Sequence, residues 1–206
     1  MLPLDILLPF LAVSFALTLA PGPDNLVVIS LGIARGRIAG IAFGVGCALG
    51  CLIHTVWVAL GTAALLSATP VALQAFKGLG AAYLLYLAFS ILRARAGGQL
   101  ASLDQQDGVI ASESAVSYLI KGFIANAINP KVAMFFLALL PQFVDPNTGS
   151  AEWQVAQLGL LFAVQTIAVF GLLGLFAGSM AERLKRYPAI SGYLDGLAAW
   201  VFVLLA

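Results

Sequence analysis

Two long apolar runs of this chain are each cut by proline beside a charged residue. The first cut is Pro21-Gly22-Pro23-Asp24-Asn25 and the second is Asn126-Ala127-Ile128-Asn129-Pro130-Lys131. In water such stretches are ordinary turns. Here each lies inside a run long enough to cross a bilayer, where a broken helix frees backbone groups that lipid cannot satisfy. Membrane chains tolerate irregular backbone where it lines a cavity, and a matched pair of breaks points to a binding site between two repeats. The cuts therefore predict a polar pocket inside a helical membrane bundle, the plan of a small transporter.

Composition supports that solvent. Hydrophobic residues make up 62% and charged residues 9% of the chain, against roughly 25% charged in a soluble domain. Too little polar surface remains to cover a water-facing globule. The net charge of +1 argues against a nucleic-acid partner, which requires a clustered basic face. Both cysteines, Cys47 and Cys51, fall in one apolar run, which excludes a secreted disulfide framework. Met1 to Asp5 hold no Lys or Arg, whereas a cleaved signal peptide begins with a basic region. The first apolar run is accordingly expected to stay as a span.

A spanning helix needs roughly 20 mainly apolar residues. Segments of this kind run about Leu4 to Leu31, Ile38 to Leu60, Val71 to Leu92, Tyr118 to Val144, Trp153 to Met180 and Pro188 to Ala206. None shows the sustained alternation of a membrane β-strand. The expected fold is an all-α membrane protein of six transmembrane helices, with helices 1 and 4 broken at the proline motifs.

Basic residues in short loops mark the cytoplasmic side. Arg35 and Arg37, Arg93 and Arg95, and Arg183, Lys185 and Arg186 lie in the odd-numbered loops, while the loop near Ser67 to Pro70 is uncharged and Asp145 to Glu152 is acidic. Both termini are thus expected outside. The stretch Ala96 to Ser114, rich in Gly, Gln and Asp, reads as a flexible linker. It divides a single transporter domain, residues 1–206, into repeat one (about 1–95) and repeat two (about 115–206). Three spans per half make the halves enter the membrane from opposite sides, an inverted repeat.

Gly36, Gly40 and Gly44, Gly46 and Gly50, and Gly174 and Gly178 repeat at four-residue spacing. Such stripes let helix backbones approach closely. Packing within one subunit is the plainer reading, and a homodimer face is the alternative.

Proline at each cut splits its helix. The half-helices starting at Pro23 and Pro130 are each about half a bilayer core long, which places both breaks near the midplane. Their N-termini suit an anion such as a carboxylate. Asp24 and Lys131 are costly at that depth and are expected to face a cavity, paired with each other or with a ligand. Pro21, Gly22, Pro23, Asp24, Asn25, Asn126, Asn129, Pro130 and Lys131 are the candidate substrate-binding residues. Asp24 and Lys131 would meet the amine and carboxylate of a zwitterion, and the three asparagines would supply amides to backbone or ligand.

Cys47, Cys51 and His54 share one helix face by spacing. They allow three readings: packing residues with one bonded histidine, a proton or substrate role for His54, or a soft-metal efflux site. Asp24 and His54 are the candidate proton carriers. Lys77 and Lys121 are expected to snorkel. Tyr83 and Tyr86 suit either the cavity or packing, and Trp57, Trp153 and Trp200 suit interfacial anchoring. No nucleophile–base triad, phosphate loop or nucleotide motif occurs, so neither an enzyme activity nor a cofactor is expected.

These residues resemble a known family. Ala20-Pro21-Gly22-Pro23, the run Gly32 to Gly50 leading to His54, Tyr83-Leu84-Leu85-Tyr86-Leu87, Asn129-Pro130-Lys131, Phe135-Phe136-Leu137 and Leu140-Pro141-Gln142-Phe143-Val144 are similar to the LysE/RhtB amino-acid exporters. The resemblance spans nearly the whole chain. It implies a multi-pass protein of the bacterial inner membrane that exports amino acids or close derivatives, in exchange for protons. By position it carries the proline motifs onto Pro21, Gly22 and Pro23, and onto Asn129, Pro130 and Lys131. Many relatives carry an acid shortly before the position of His54, where this chain has Cys51, which weakens a proton-carrier role for the second span.

Overall fold

Three residues that precede prolines shape the chain locally. A proline ring pushes the residue before it out of the α region. Ala20 (ψ 130°), Gly22 (ψ 172°) and Asn129 (ψ 111°) are all extended accordingly. The computed structural model describes residues 2–20, 22–66, isolated positions between 71 and 93, 113–145 and 148–186. Pro21, Lys77, Tyr83, Trp200, the linker up to residue 112, most of the expected third span and the expected last span lie outside the described residues.

Every described element is helical. Helix α1 (Leu4–Leu19) stops at Ala20, and α2 (Pro23–Ala34) starts with proline at its first position. Proline there forfeits nothing, because that N–H has no helical partner and φ is already suitable. The helices α4 (Ala115–Ala127) and α5 (Pro130–Leu139) repeat the arrangement, and a 3₁₀ turn, Leu140–Phe143, prolongs α5. Two long helices complete the set: α3 (Arg37–Leu66) and α6 (Ala151–Arg186). Gly36 turns α2 into α3 with φ at +89°, a left-handed conformation that glycine adopts without a Cβ penalty.

Arg37–Gly61 of α3 (25 residues) and Ala151–Ala177 of α6 (27 residues) are long and apolar enough to cross a membrane. The α1–α2 pair, bent by 59°, and the α4–α5 pair, bent by 54°, each qualify as one interrupted span. The expected breaks in helices 1 and 4 are therefore present, at the proline motifs.

Glycine stripes set how closely these helices pack. A Cβ on Gly46 would overlap the Leu119 carbonyl oxygen, and one on Gly122 would overlap that of Phe43, so α3 and α4 touch backbone to backbone. A Cβ on Gly40 would lie 2.8 Å from the Val28 oxygen, and one on Gly174 2.7 Å from the Ile41 nitrogen. These glycines serve packing within one chain. Lipid provides no hydrophobic drive between helices, so close van der Waals contact has to supply the association.

Two apolar clusters result. Phe10, Val13, Phe135, Phe136, Leu158 and Phe162 join α1, α5 and α6. Val28, Phe43, Cys47, Tyr118, Val169 and Phe170 join α2, α3, α4 and α6. The two helix breaks lie between them.

Candidate functional site

At the first break, α1 ends with carbonyls that have lost their partners. Leu17 O would normally accept from the N–H four residues on, but that residue is Pro21, which has none. Lys131 Nζ fills the gap, donating to Leu17 O at 3.3 Å and to Ala20 O at 2.9 Å. A cation also suits the negative end of a helix dipole. The next carbonyl, that of Thr18, accepts from Asn25 Nδ2 at 2.7 Å. The second break thus repairs the first with Lys131, and α2 contributes Asn25.

The converse contact comes from Asp24, in the first turn of α2. Its Oδ2 accepts from Asn126 Nδ2 and from Asn129 Nδ2, both at 3.0 Å. Asn126 sits in the last turn of α4, and Asn129 is the residue that caps α5. A buried carboxylate is tolerated only when hydrogen-bonded, and these two amides meet that demand. Asn129 does a second task, as its Oδ1 accepts the backbone N–H of Lys131 at 2.9 Å. One of the N–H groups that the sequence offers to an anion is therefore already taken by the cap.

Asn126 is the hub behind the carboxylate. Its side-chain oxygen accepts from Cys51 Sγ at 3.3 Å, and its backbone oxygen lies 3.0 Å from His54 Nε2. A carbonyl only accepts, so Nε2 of His54 carries a proton. Cys51, His54, Asn126, Asp24 and Asn129 are all buried. They form one connected polar chain from α3 across α4 to the two breaks.

A cavity opens at the junction, lined by Gly22, Pro23, Asp24, Asn25, Asn126, Asn129 and Lys131 among the expected site residues. Pro130 begins α5 beside it, and His54 reaches it through Asn126. Cys47 and Cys51 are free thiols. Among the described residues no three His, Cys, Asp or Glu side chains converge as a metal site, so the shared helix face does not become a ligand set. Lys121 pairs with Glu113 at 2.6 Å in an exposed position, and Trp57 and Trp153 are exposed as interfacial anchors would be.

Sequence reasoning passed over part of the wall. Thr18 of α1 and Thr166 of α6 line the cavity too, with Leu17, Val132, Phe162 and Phe170 as apolar neighbours. The signal was present: Gln165-Thr166 is a polar pair amid an apolar run, and polar groups inside spans usually face a functional interior. The space left for a water-sized body is about 20 Å³, room for roughly one water. The cavity must widen before anything larger enters.

Known proteins share this arrangement of sequence. The family described as LysE type translocator matches residues 15–206. The homoserine/homoserine lactone efflux protein of Salmonella typhimurium is 30% identical, covering 96% of this chain and 94% of its own. The leucine efflux protein of Klebsiella pneumoniae is 28% identical, covering 95% and 90%. An uncharacterized membrane protein of Vibrio cholerae is 30% identical, covering 95% and 92%. No solved structure matches significantly. With a family match over nearly its whole length and its helices interrupted at both proline motifs, the chain belongs to the LysE-type translocators, multi-pass proteins of the membrane.

Proposed function

We propose that the chain exports a small amino acid through the cavity between the two breaks. One observation carries the reading: Asp24 and Lys131, opposite charges from the two breaks, line the same cavity. The naming of relatives as efflux proteins for leucine and for homoserine supports the substrate class. A zwitterion presents an ammonium and a carboxylate a few ångströms apart, and this cavity carries a partner for each.

Both partners are engaged with the protein before substrate arrives. The ammonium would replace the Asn126 and Asn129 amides at Asp24, and the carboxylate would draw Lys131 from Leu17 O and Ala20 O. Loss of Lys131 undoes the repair of α1, so binding loosens the break. Binding energy can shift a conformational equilibrium only through contacts that differ between the states, and here the Lys131 contacts differ. Alternating access then follows from rocking of two inverted three-helix halves about the breaks.

Protons are the proposed counter-substrate, carried by Asp24 or by His54, which reaches Asp24 through Asn126. The proposed location is the bacterial inner membrane with both termini outside. The test loads cells with dipeptides and follows which amino acids leave faster when the protein is present. Accelerated efflux of one or a few amino acids is expected, abolished by Asp24→Asn. Unchanged efflux of every amino acid would reject the proposal.

A further inference from the structure

Beside the charged site lies a second polar group, on α1 and α6. Gln165 Nε2 donates to Thr18 Oγ1 at 2.8 Å and to Thr166 Oγ1 at 3.0 Å. Thr18 in turn donates its hydroxyl hydrogen to Ser14 O at 2.8 Å. That hydrogen is spent, so Thr18 meets Gln165 only as an acceptor, which fixes the amide with its nitrogen toward the two hydroxyls. The amide oxygen, Gln165 Oε1, is buried and has no partner among the described residues, and the same is true of Ser14 Oγ. Gln165 is 5% exposed.

An orphaned acceptor in a bilayer interior is costly. A donor that reaches it, a water or a ligand group, would remove that cost. Thr166 stands at the cavity wall, and because it accepts from Gln165, its own hydrogen is available to an incoming acceptor. The donor on the wall matches a group that accepts, and Gln165, behind the wall, holds that donor in place. A hydroxyl is a small group that accepts.

Resting on the export reading above, we propose that Thr166, positioned by Gln165, is a second subsite that binds a hydroxyl on the substrate's side chain. The charged ends of the zwitterion sit at Asp24 and Lys131, and the side chain extends between the apolar walls of Leu17 and Phe162 toward Thr166. The chain therefore favours a hydroxylated small amino acid over its aliphatic isostere. A site built to hydrogen-bond a hydroxyl rejects the analogue lacking it, because its buried polar groups are then left unpaired.

Threonine and valine share a shape and differ by hydroxyl against methyl. The full-length protein in liposomes loaded with both should export threonine faster by at least about tenfold. Thr166→Val, an isosteric change, and Gln165→Leu should each bring the ratio to within about threefold of unity. A merely structural loss lowers both rates together and leaves the ratio unchanged. Equal export by the wild type, or a ratio unmoved in Thr166→Val, overturns the subsite while amino-acid export stands. A wild type that releases nothing from a mixture of all twenty amino acids overturns the export reading and the subsite with it.

Discussion

Lys131 Nζ donates to the Ala20 carbonyl at 2.9 Å, joining residues 111 positions apart. The contact exists because α1 stops at Ala20 and leaves that carbonyl without a helical donor, and the second break supplies a cation in its place. Each break is thus incomplete alone and is completed by the other. The groups that join the two breaks are those the proposed zwitterion would engage.

Replacing Lys131 tests this dependence. Lys131→Met removes a donor from two buried carbonyls, and each orphaned group costs about 1–3 kcal/mol. Thermal unfolding in detergent should show the loss, and export should fall by at least about tenfold. Lys131→Arg should not restore transport, since a planar guanidinium is not a compact ammonium. Export at the wild-type rate in Lys131→Met would refute the role.

Asp24→Asn separates charge from shape. The new side-chain oxygen still accepts from Asn126 or Asn129, so the unfolding midpoint should stay within about 4 °C of the wild type, a cost of about 1 kcal/mol or less. Export should nevertheless drop by at least about tenfold, because the ammonium loses its counter-charge. A variant that exports normally would show Asp24 to be structural.

Gly46→Ala and Gly122→Ala place a methyl against the facing backbone, which no rotamer relieves. Both should reduce the yield of folded protein sharply. Gly171, with nothing within 4 Å among the described residues, is the control. Gly171→Ala should be neutral or stabilise by up to about 1 kcal/mol through helix propensity. Yields measured by size-exclusion chromatography in detergent would distinguish them, and normal yields of Gly46→Ala would contradict the close approach of α3 to α4.

Glu113 gives a pH dependence of known sign. The hydrogen bond from Lys121, followed by that from Ser117, holds its carboxyl below the ordinary value. A depressed folded value means that the pair's contribution is complete above the unfolded value, about 4.3 for glutamate. It is lost as pH falls through the folded value. The small difference in midpoint between wild type and Glu113→Gln at pH 7 should therefore shrink as pH falls below about 4.3, and salt should shrink it too. A difference that grows on acidification would contradict the assignment.

Much of this was legible in the residues. Proline at 23 and 130 favours a helix restart there, because its ring suits a first turn, although α1 carries Pro9 in its interior and so proline alone does not fix a break. The glycine spacing announced close helix contacts, and the low charge announced the solvent. Gln165 and Thr166 were legible in principle as polar groups in an apolar run, but nothing local shows which face of α6 they occupy.

The partners of each charge lay beyond local reasoning. Asp24 and Lys131 read naturally as a pair and do line one cavity, but the hydrogen bonds of Asp24 come from Asn126 and Asn129, and Lys131 donates to Leu17 and Ala20. Cys47, Cys51 and His54 share a helix face, yet two of them turn to Asn126. Local order follows from covalent limits of single residues, such as a missing N–H or a missing Cβ, which act wherever the chain goes. Partnership depends on which distant carbonyl or amide is left unsatisfied nearby, and packing of the helices has to bring the two together before that choice exists.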